Sequence, residues 1–234
     1  MEVLCIIPAR AGSKGVIDKN IKLLDGKPLM SYSIMAALDS NYISRVLVST
    51  DSEQYATIAR RYGAEVPFLR EDLYAKDEIH AVYSILNTLK RLKENDGYEP
   101  DVVVMLLPTS PLRTSVHIDE AFELYLQDDS CSIISVVLAE KPPYYLRKIR
   151  NGFIFPLDGY IKDRNFQRQE LESFYELNGS IYIMKTELLL TYRTFHADRT
   201  RPYVMDKEIS IDINNTLEFE IAEYLIKKRR KNDL

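Results

Sequence analysis

The stretch Val3-Leu4-Cys5-Ile6-Ile7-Pro8, running into Ala9-Arg10-Ala11-Gly12-Ser13-Lys14-Gly15, decides how the chain is read. A short apolar run closed by a proline reads as a strand buried on both faces of a sheet. A loop of small residues follows, with Gly12 and Gly15 and with the cations Arg10, Lys14 and Lys19 ahead of Asn20. Glycines let backbone N–H groups come close to phosphate oxygens, and Arg and Lys neutralise phosphate charge. The order is neither GxxxxGK[ST] nor GxGxxG. Standing alone, the loop would serve equally well as a surface turn with solvated cations.

Outward from this strand, short β-rich runs alternate with helical spacings. Leu29–Ser40, Glu53–Tyr62, Ile79–Leu92, His117–Leu126 and Thr216–Arg229 carry helical patterns. Val46–Ser49, Val102–Leu107, Ser132–Val137, Gly179–Met184 and Ile209–Ile213 read as strands. The alternation predicts a parallel sheet covered on both faces, with chemistry in the loops at its C-terminal edge. The rhythm fails between about residues 141 and 176, where Pro142-Pro143, Tyr144-Tyr145, Gly152, Pro156 and Gly159 fall. That stretch reads as strands and loops outside the main sheet, an excursion from one domain spanning residues 1–234.

Composition narrows the function. Hydrophobic residues make up 46% of the 234, enough for one sizeable core. A net charge of −4 argues against a general nucleic-acid surface, which needs a basic excess. A local basic pocket for a nucleotide stays compatible with it. Cys5 and Cys131 lie in apolar runs and read as buried free thiols in a reducing compartment. The N-terminal run is too short for a signal peptide, and no stretch reaches the roughly 20 apolar residues of a spanning helix. No membrane partner and a cytoplasmic location are therefore expected. The basic tail Lys227-Lys228-Arg229-Arg230-Lys231 reads as a solvated helix end suited to the helix dipole.

Three further segments carry chemistry. Asp212-Ile213-Asn214 reads as a strand on which both polar side chains share a face. Hard oxygen donors suit Mg²⁺, although the same residues could simply cap the helix that begins near Thr216. Leu107-Pro108-Thr109-Ser110-Pro111-Leu112-Arg113 is a proline-braced loop after a buried strand, with two hydroxyls and a cation. Arg168-Gln169 and Asn178-Gly179 could read a carboxylate and hydroxyls of a sugar, or be exposed polar positions around a hairpin.

Taken together and in this order, these segments resemble the acylneuraminate cytidylyltransferase family over nearly the whole chain. IIPARAGSKG, KNIK, GKPL, VSTDSE, YGAEVPFLR, LLPTSPLRT, RQ, LNGSIYI and ISIDIN with LEFEIAE fall at the family's spacings. The resemblance implies a Rossmann-like three-layer α/β sandwich and a homodimer, with residues 141–176 as the dimerisation excursion. It implies that CTP and an acidic 2-keto-3-deoxy sugar give CMP-sugar and pyrophosphate with Mg²⁺. By position, Arg10, Ser13, Lys14, Lys19, Asn20 and Arg70 match nucleotide contacts, with Arg10, Lys19 and Asp212 at the chemistry. Asp212, with Asn214, matches the metal position. Arg168, Gln169 and Asn178 match the sugar side, where Leu107 and Tyr145 also fall.

Five positions depart from the family pattern. Asn214 replaces a second aspartate and brings a carbonyl oxygen without charge. Leu107 replaces a glutamine, Tyr145 a lysine, Glu176 an arginine and Ala81 a serine. A buried hydrogen-bonding site discriminates strongly against ligands that leave it unpaired. The changes predict a sugar acid less polar than N-acetylneuraminic acid, such as a deoxygenated diamino nonulosonic acid. Two other readings stay open on these residues. One is transfer of another nucleotide, such as GMP, to a sugar 1-phosphate. The other is a nucleotide-binding relative with weak catalysis.

Overall fold

The computed structural model describes residues 1–13, 15–71, 81–127, 132–158 and 172–232. Its centre is a six-stranded sheet built from β1 (Val3–Pro8), β4 (Arg45–Ser49), β5 (Val102–Met105), β6 (Ser132–Leu138), β9 (Tyr175–Lys185) and β10 (Thr200–Val204). The strand order is β10-β6-β9-β5-β1-β4. Strand β1 runs parallel to β4 and β5, β10 runs parallel to β6, and β9 lies antiparallel between β5 and β6. Two small hairpins stand apart from it: β2 (Leu23–Leu24) with β3 (Lys27–Pro28), and β7 (Arg147–Arg150) with β8 (Phe153–Pro156).

Helices α1 (Leu29–Leu38), α2 (Glu53–Arg61), α3 (Ala81–Asp96), α4 (Ser115–Leu126), α5 (Thr186–Tyr192) and α6 (Thr216–Asn232) surround the sheet. Side chains alternate across a strand, so β1 feeds both faces. Cys5 and Ile7 join Met30 and Ile34 of α1, Tyr55 of α2 and Phe122 of α4 on one side. Leu4 and Ile6 join Ile85 and Leu92 of α3 and Leu189 of α5 on the other. That makes the expected three-layer α/β sandwich. Each such buried aliphatic or aromatic side chain stabilises the fold by ~1.5–3 kcal/mol relative to exposure. Helix α6 packs Phe219 and Ala222 on Ile213, Leu24 and Leu29.

Helix starts follow local chemistry. Ser52 caps α2 by accepting from Tyr55 N. Asn215 and Glu218 cap the start of α6 reciprocally, Asn215 Oδ1 accepting from Glu218 N and Glu218 Oε2 from Asn215 N. The capping anticipated for Asp212 and Asn214 thus falls to Asn215.

Two expectations are corrected. Ile209–Ile213 is not a strand: a 3₁₀ turn covers Lys207–Ile209, and the following residues join no sheet ladder. Its alternation has another cause, because Ile213 is buried in the cluster under α6 while Asp212 stays half-exposed. Strand β10 was not anticipated. Pro202 lies in it, and proline is tolerated because β10 is the edge of the sheet. Cys5 is buried, and burial pushes its thiol up to about 12, so it is an inert core residue. Cys131 lies outside the described residues.

Candidate active site

The chain passes from β1 to β4 on one side and later to β5 on the other, so the strand order reverses at β1. The crevice at the carboxyl ends of β1 and β5 is where such sheets take ligands. A cleft of about 370 Å³ opens there. Arg10, Ser13, Lys19, Asn20, Arg70, Leu107 and Asn214 all line it, with Gly15, Ala81, Pro108 and Thr109. Residues spread over 200 positions of sequence thus meet at one sheet edge.

The glycine loop is held from below. Ala11 N donates to Asp51 Oδ1 at 2.8 Å, and buried Asn20 donates through Nδ2 to Arg10 O at 2.9 Å. Gly15 has a separate reason to be glycine: a Cβ there would lie 2.1 Å from Asn214 O. The loop therefore presses directly on the Asp212–Asn214 segment. Lys19 Nζ donates to Ile213 O at 2.6 Å, and Ile213 N donates to Thr109 O at 2.9 Å. The two ends of the chain and the loop after β5 are tied into one frame.

Charge gathers in that frame. Burial lowers the Lys19 ammonium below the usual lysine range, with Asp212 and Glu218 opposing and Arg10 adding to the effect. Lys19, Arg10 and Asp212 therefore share one electrostatic neighbourhood. Arg70 is buried, donating through Nη2 to Ser49 O at 2.6 Å and through Nε to Ser49 Oγ at 3.2 Å. Burial pushes its guanidinium down to about 10, against the pull of Asp51, so it stays charged at neutral pH.

Leu107, also lining the cleft, packs against the backbone of Gly179. A Cβ on Gly179 would meet Leu107 Cδ1 at 3.2 Å and Asp212 Oδ1 at 3.8 Å. Gly179 lies in a break of register between β6 and β9, where Ile134 pairs with Tyr182 but Val136 with Leu177. Such bulges re-aim side chains beside functional sites. Asn214 Nδ2 donates to Asp212 Oδ2 at 3.0 Å, so the two expected metal-position side chains do touch, although no strand carries them.

Other expected positions fall elsewhere. Lys14, Arg168 and Gln169 lie outside the described residues. Tyr145 is exposed at the end of a 3₁₀ turn, Pro143–Tyr145, and does not line the cleft; Glu176 is exposed on β9. Asn178, read as a sugar contact, is buried and turned inward. It accepts from Ser135 Oγ at 2.6 Å and donates to Ser210 Oγ at 3.0 Å. Asp51 and Glu218 are supports of the site that sequence reasoning does not single out, and of these Asp51 carries a readable signal, its place just past the end of β4. Arg113, the cation of the proline-braced loop, is buried rather than open to the cleft.

Comparison with known proteins identifies the family and the fold. A family model described as Cytidylyltransferase matches residues 4–230. The chain is 36% identical over 230 residues to Post-translational flagellin modification protein B of Campylobacter coli, covering 97% of this chain and 96% of that one. It is 35% identical over 231 residues to CMP-N,N'-diacetyllegionaminic acid synthase of Legionella pneumophila, covering 97% of each. A solved structure of CMP:2-keto-3-deoxy-manno-octonic acid synthetase complexed with CTP superposes with a TM-score of 0.73 at 14% identity, covering 98% of this chain and all of that one. The match over residues 4–230, together with full-length relatives at 35–36% identity, shows that the chain belongs to the cytidylyltransferase family.

Proposed function

We propose that the chain joins CTP to an acidic nonulosonic sugar, giving CMP-sugar and pyrophosphate, and that its preferred acid is less polar than N-acetylneuraminic acid. One observation carries the reading: the cations Arg10 and Lys19 line one cleft with Asn214, and Asp212, which is not itself among the lining residues, lies within electrostatic reach of Lys19. The anomeric hydroxyl oxygen attacks the α-phosphorus, its proton leaves to solvent or a base, and the bond to the β-phosphate oxygen breaks. This transfer needs positioning and charge neutralisation more than covalent catalysis. Lys19 and Arg10 offset phosphate charge, while Arg70 and Asn20 set the nucleotide half from below. Asp212, with the Asn214 amide, would hold Mg²⁺; the ion takes few protein ligands and completes its shell with water and phosphate oxygens. When bound, it supplies positive charge beside the phosphates.

Leu107 supports the finer part of the proposal. Its side chain cannot hydrogen-bond, and it stands beside Asp212 across Gly179. A deoxygenated diamino nonulosonic acid presents methyl and acetamido groups to such a wall, and the named activity of the Legionella relative points the same way. We also propose a homodimer in the cytoplasm. On the β7–β8 hairpin Ile149, Phe153 and Ile154 are 69–75% exposed, an apolar surface that a second copy would cover. Among the described residues, no helix is long and apolar enough to cross a membrane.

Pyrophosphate release with each of four nucleoside triphosphates, across a panel of sugar acids and sugar 1-phosphates, tests the reaction. CTP with a deoxygenated acid is expected to give the highest turnover, and chelation of Mg²⁺ to abolish it. Best turnover with N-acetylneuraminic acid sinks the finer reading; preference for GTP and a sugar 1-phosphate sinks the coarser one.

A further inference from the structure

A buried polar network lies beneath the Leu107 wall. Arg113 is only 2% exposed. Its Nη1 donates to Ser180 O at 2.8 Å and, more weakly, to Leu107 O at 3.4 Å, and its Nη2 donates to Ser33 Oγ. Ser33 Oγ in turn donates to Leu107 O at 3.2 Å. None of these partners is a carboxylate, and Arg113 Nε finds no hydrogen-bond partner among the described residues. Burial pushes the guanidinium down to about 10, with Cys5 the opposing influence.

A guanidinium buried with no carboxylate among its described partners carries a desolvation penalty that its hydrogen bonds must offset. Its three hydrogen-bonded groups show what that cost fixes. Leu107 O opens the loop that lines the cleft. Ser180 O belongs to the bulge that brings Gly179 against Leu107 and Asp212. Ser33 belongs to α1. The second half of the network continues the brace: Ser110 Oγ donates to Asn178 O at 3.1 Å, and the Asn178 side chain ties Ser135 to Ser210, two residues before Asp212.

We propose that Arg113 is a positioning residue for the sugar half of the cleft, acting through the carbonyls of Leu107 and Ser180. This rests on the reading of Leu107 as part of the sugar wall. Arg113 reaches neither substrate; it sets the distance between the Leu107 loop and the Gly179 bulge. The nucleotide half is tied down by other bonds, from Asp51, Asn20 and Ser49. The two halves therefore separate experimentally.

The test is Arg113→Met, which keeps a long side chain and removes the charge and the bonds. The expected signature is a KM for the sugar acid raised about tenfold or more, as for a small misplacement at a reacting centre, with CTP affinity changed less than about twofold. Arg113→Lys should recover part of the loss. Equal losses for CTP and acid, or an unchanged acid KM, overturn the proposal. Ser33→Ala, which removes one partner and keeps the charge, should show the same split at smaller size; it decides the matter if Arg113→Met fails to fold. A crystal structure of the variant gives a reading that needs no substrate. The Leu107 carbonyl and the residue 178–180 bulge should shift while residues 9–20 stay in place, and an unmoved bulge overturns the proposal. If the wild type turns over no sugar acid, the functional reading falls, and the crystallographic outcome still decides what Arg113 positions.

Discussion

The two walls of the cleft are built differently. The nucleotide wall offers charge: Arg10 and Lys19 at its surface, Arg70 buried behind it, and a glycine loop pressed against Asn214. The Leu107 wall offers shape: an apolar side chain, a glycine bulge, and polar groups consumed beneath the surface by one another. A triphosphate is the same in every member of a family that uses it, so the first wall is constrained by charge. A sugar acid varies in its hydroxyls and methyls, and Leu107, one of the three departures from the commoner pattern that line the cleft beside Ala81 and Asn214, lies on the second wall. On the function proposed above, the difference implies that affinity for the nucleotide and choice of the acid are separable in this molecule.

Lys19→Ala attacks that separation most severely. Loss of one preorganised electrostatic partner should lower kcat/KM by ~10²–10³-fold, or ~2.7–4 kcal/mol. A change under about threefold in steady-state assays would show that Lys19 is only a surface cation. Gly15→Ala strikes the same wall through packing. A Cβ 2.1 Å from Asn214 O forces the loop or the Asp212 segment to move. Overpacking of this kind costs ~1–3 kcal/mol, read in thermal melts and in CTP titration. A variant that melts and binds CTP like wild type would mean the close approach is relaxed in solution.

Leu107→Gln tests the other wall. One regained hydrogen bond is worth about 1 kcal/mol, so relative kcat/KM should move several-fold toward N-acetylneuraminic acid. CTP affinity should not follow; if it does, the two walls are coupled and the comparison fails.

The smallest effect is in pH dependence. Burial lowers the Lys19 pKa in the folded protein, so its proton is lost on the alkaline side before that of an ordinary lysine near 10.4. Between the two values the unfolded chain binds more protons, and this group's contribution to stability rises with pH. Activity goes the opposite way, because neutral Lys19 no longer offsets phosphate charge. The kcat/KM profile should show an early alkaline limb that Lys19→Arg flattens, since arginine stays charged. A limb unchanged in Lys19→Arg assigns it to another group.

Sequence by itself determined strand β1, the cationic loop and five of the six helices described around the sheet, Thr186–Tyr192 being the one its spacing did not announce. These follow from short-range rules: an apolar run, glycines beside cations, and helical spacing that places Met30, Ile34 and Ala37 on one face of α1. The family resemblance, rather than local physics, grouped Arg10, Lys19, Arg70 and Leu107 with Asn214, and the fold brings them to one cleft. Tertiary structure decided the rest. The alternation at Ile209–Ile213 looks like a strand, but hydrogen bonds from Lys19 and to Thr109 hold that segment where a ladder would. Asn178 and Arg113 look like ligand contacts until their partners, 32 to 80 residues away, are seen to hold them inside. Residue type and local spacing state what a side chain can bond to. Only packing decides which distant group takes the bond, because a buried polar atom must find its partner wherever the fold places one.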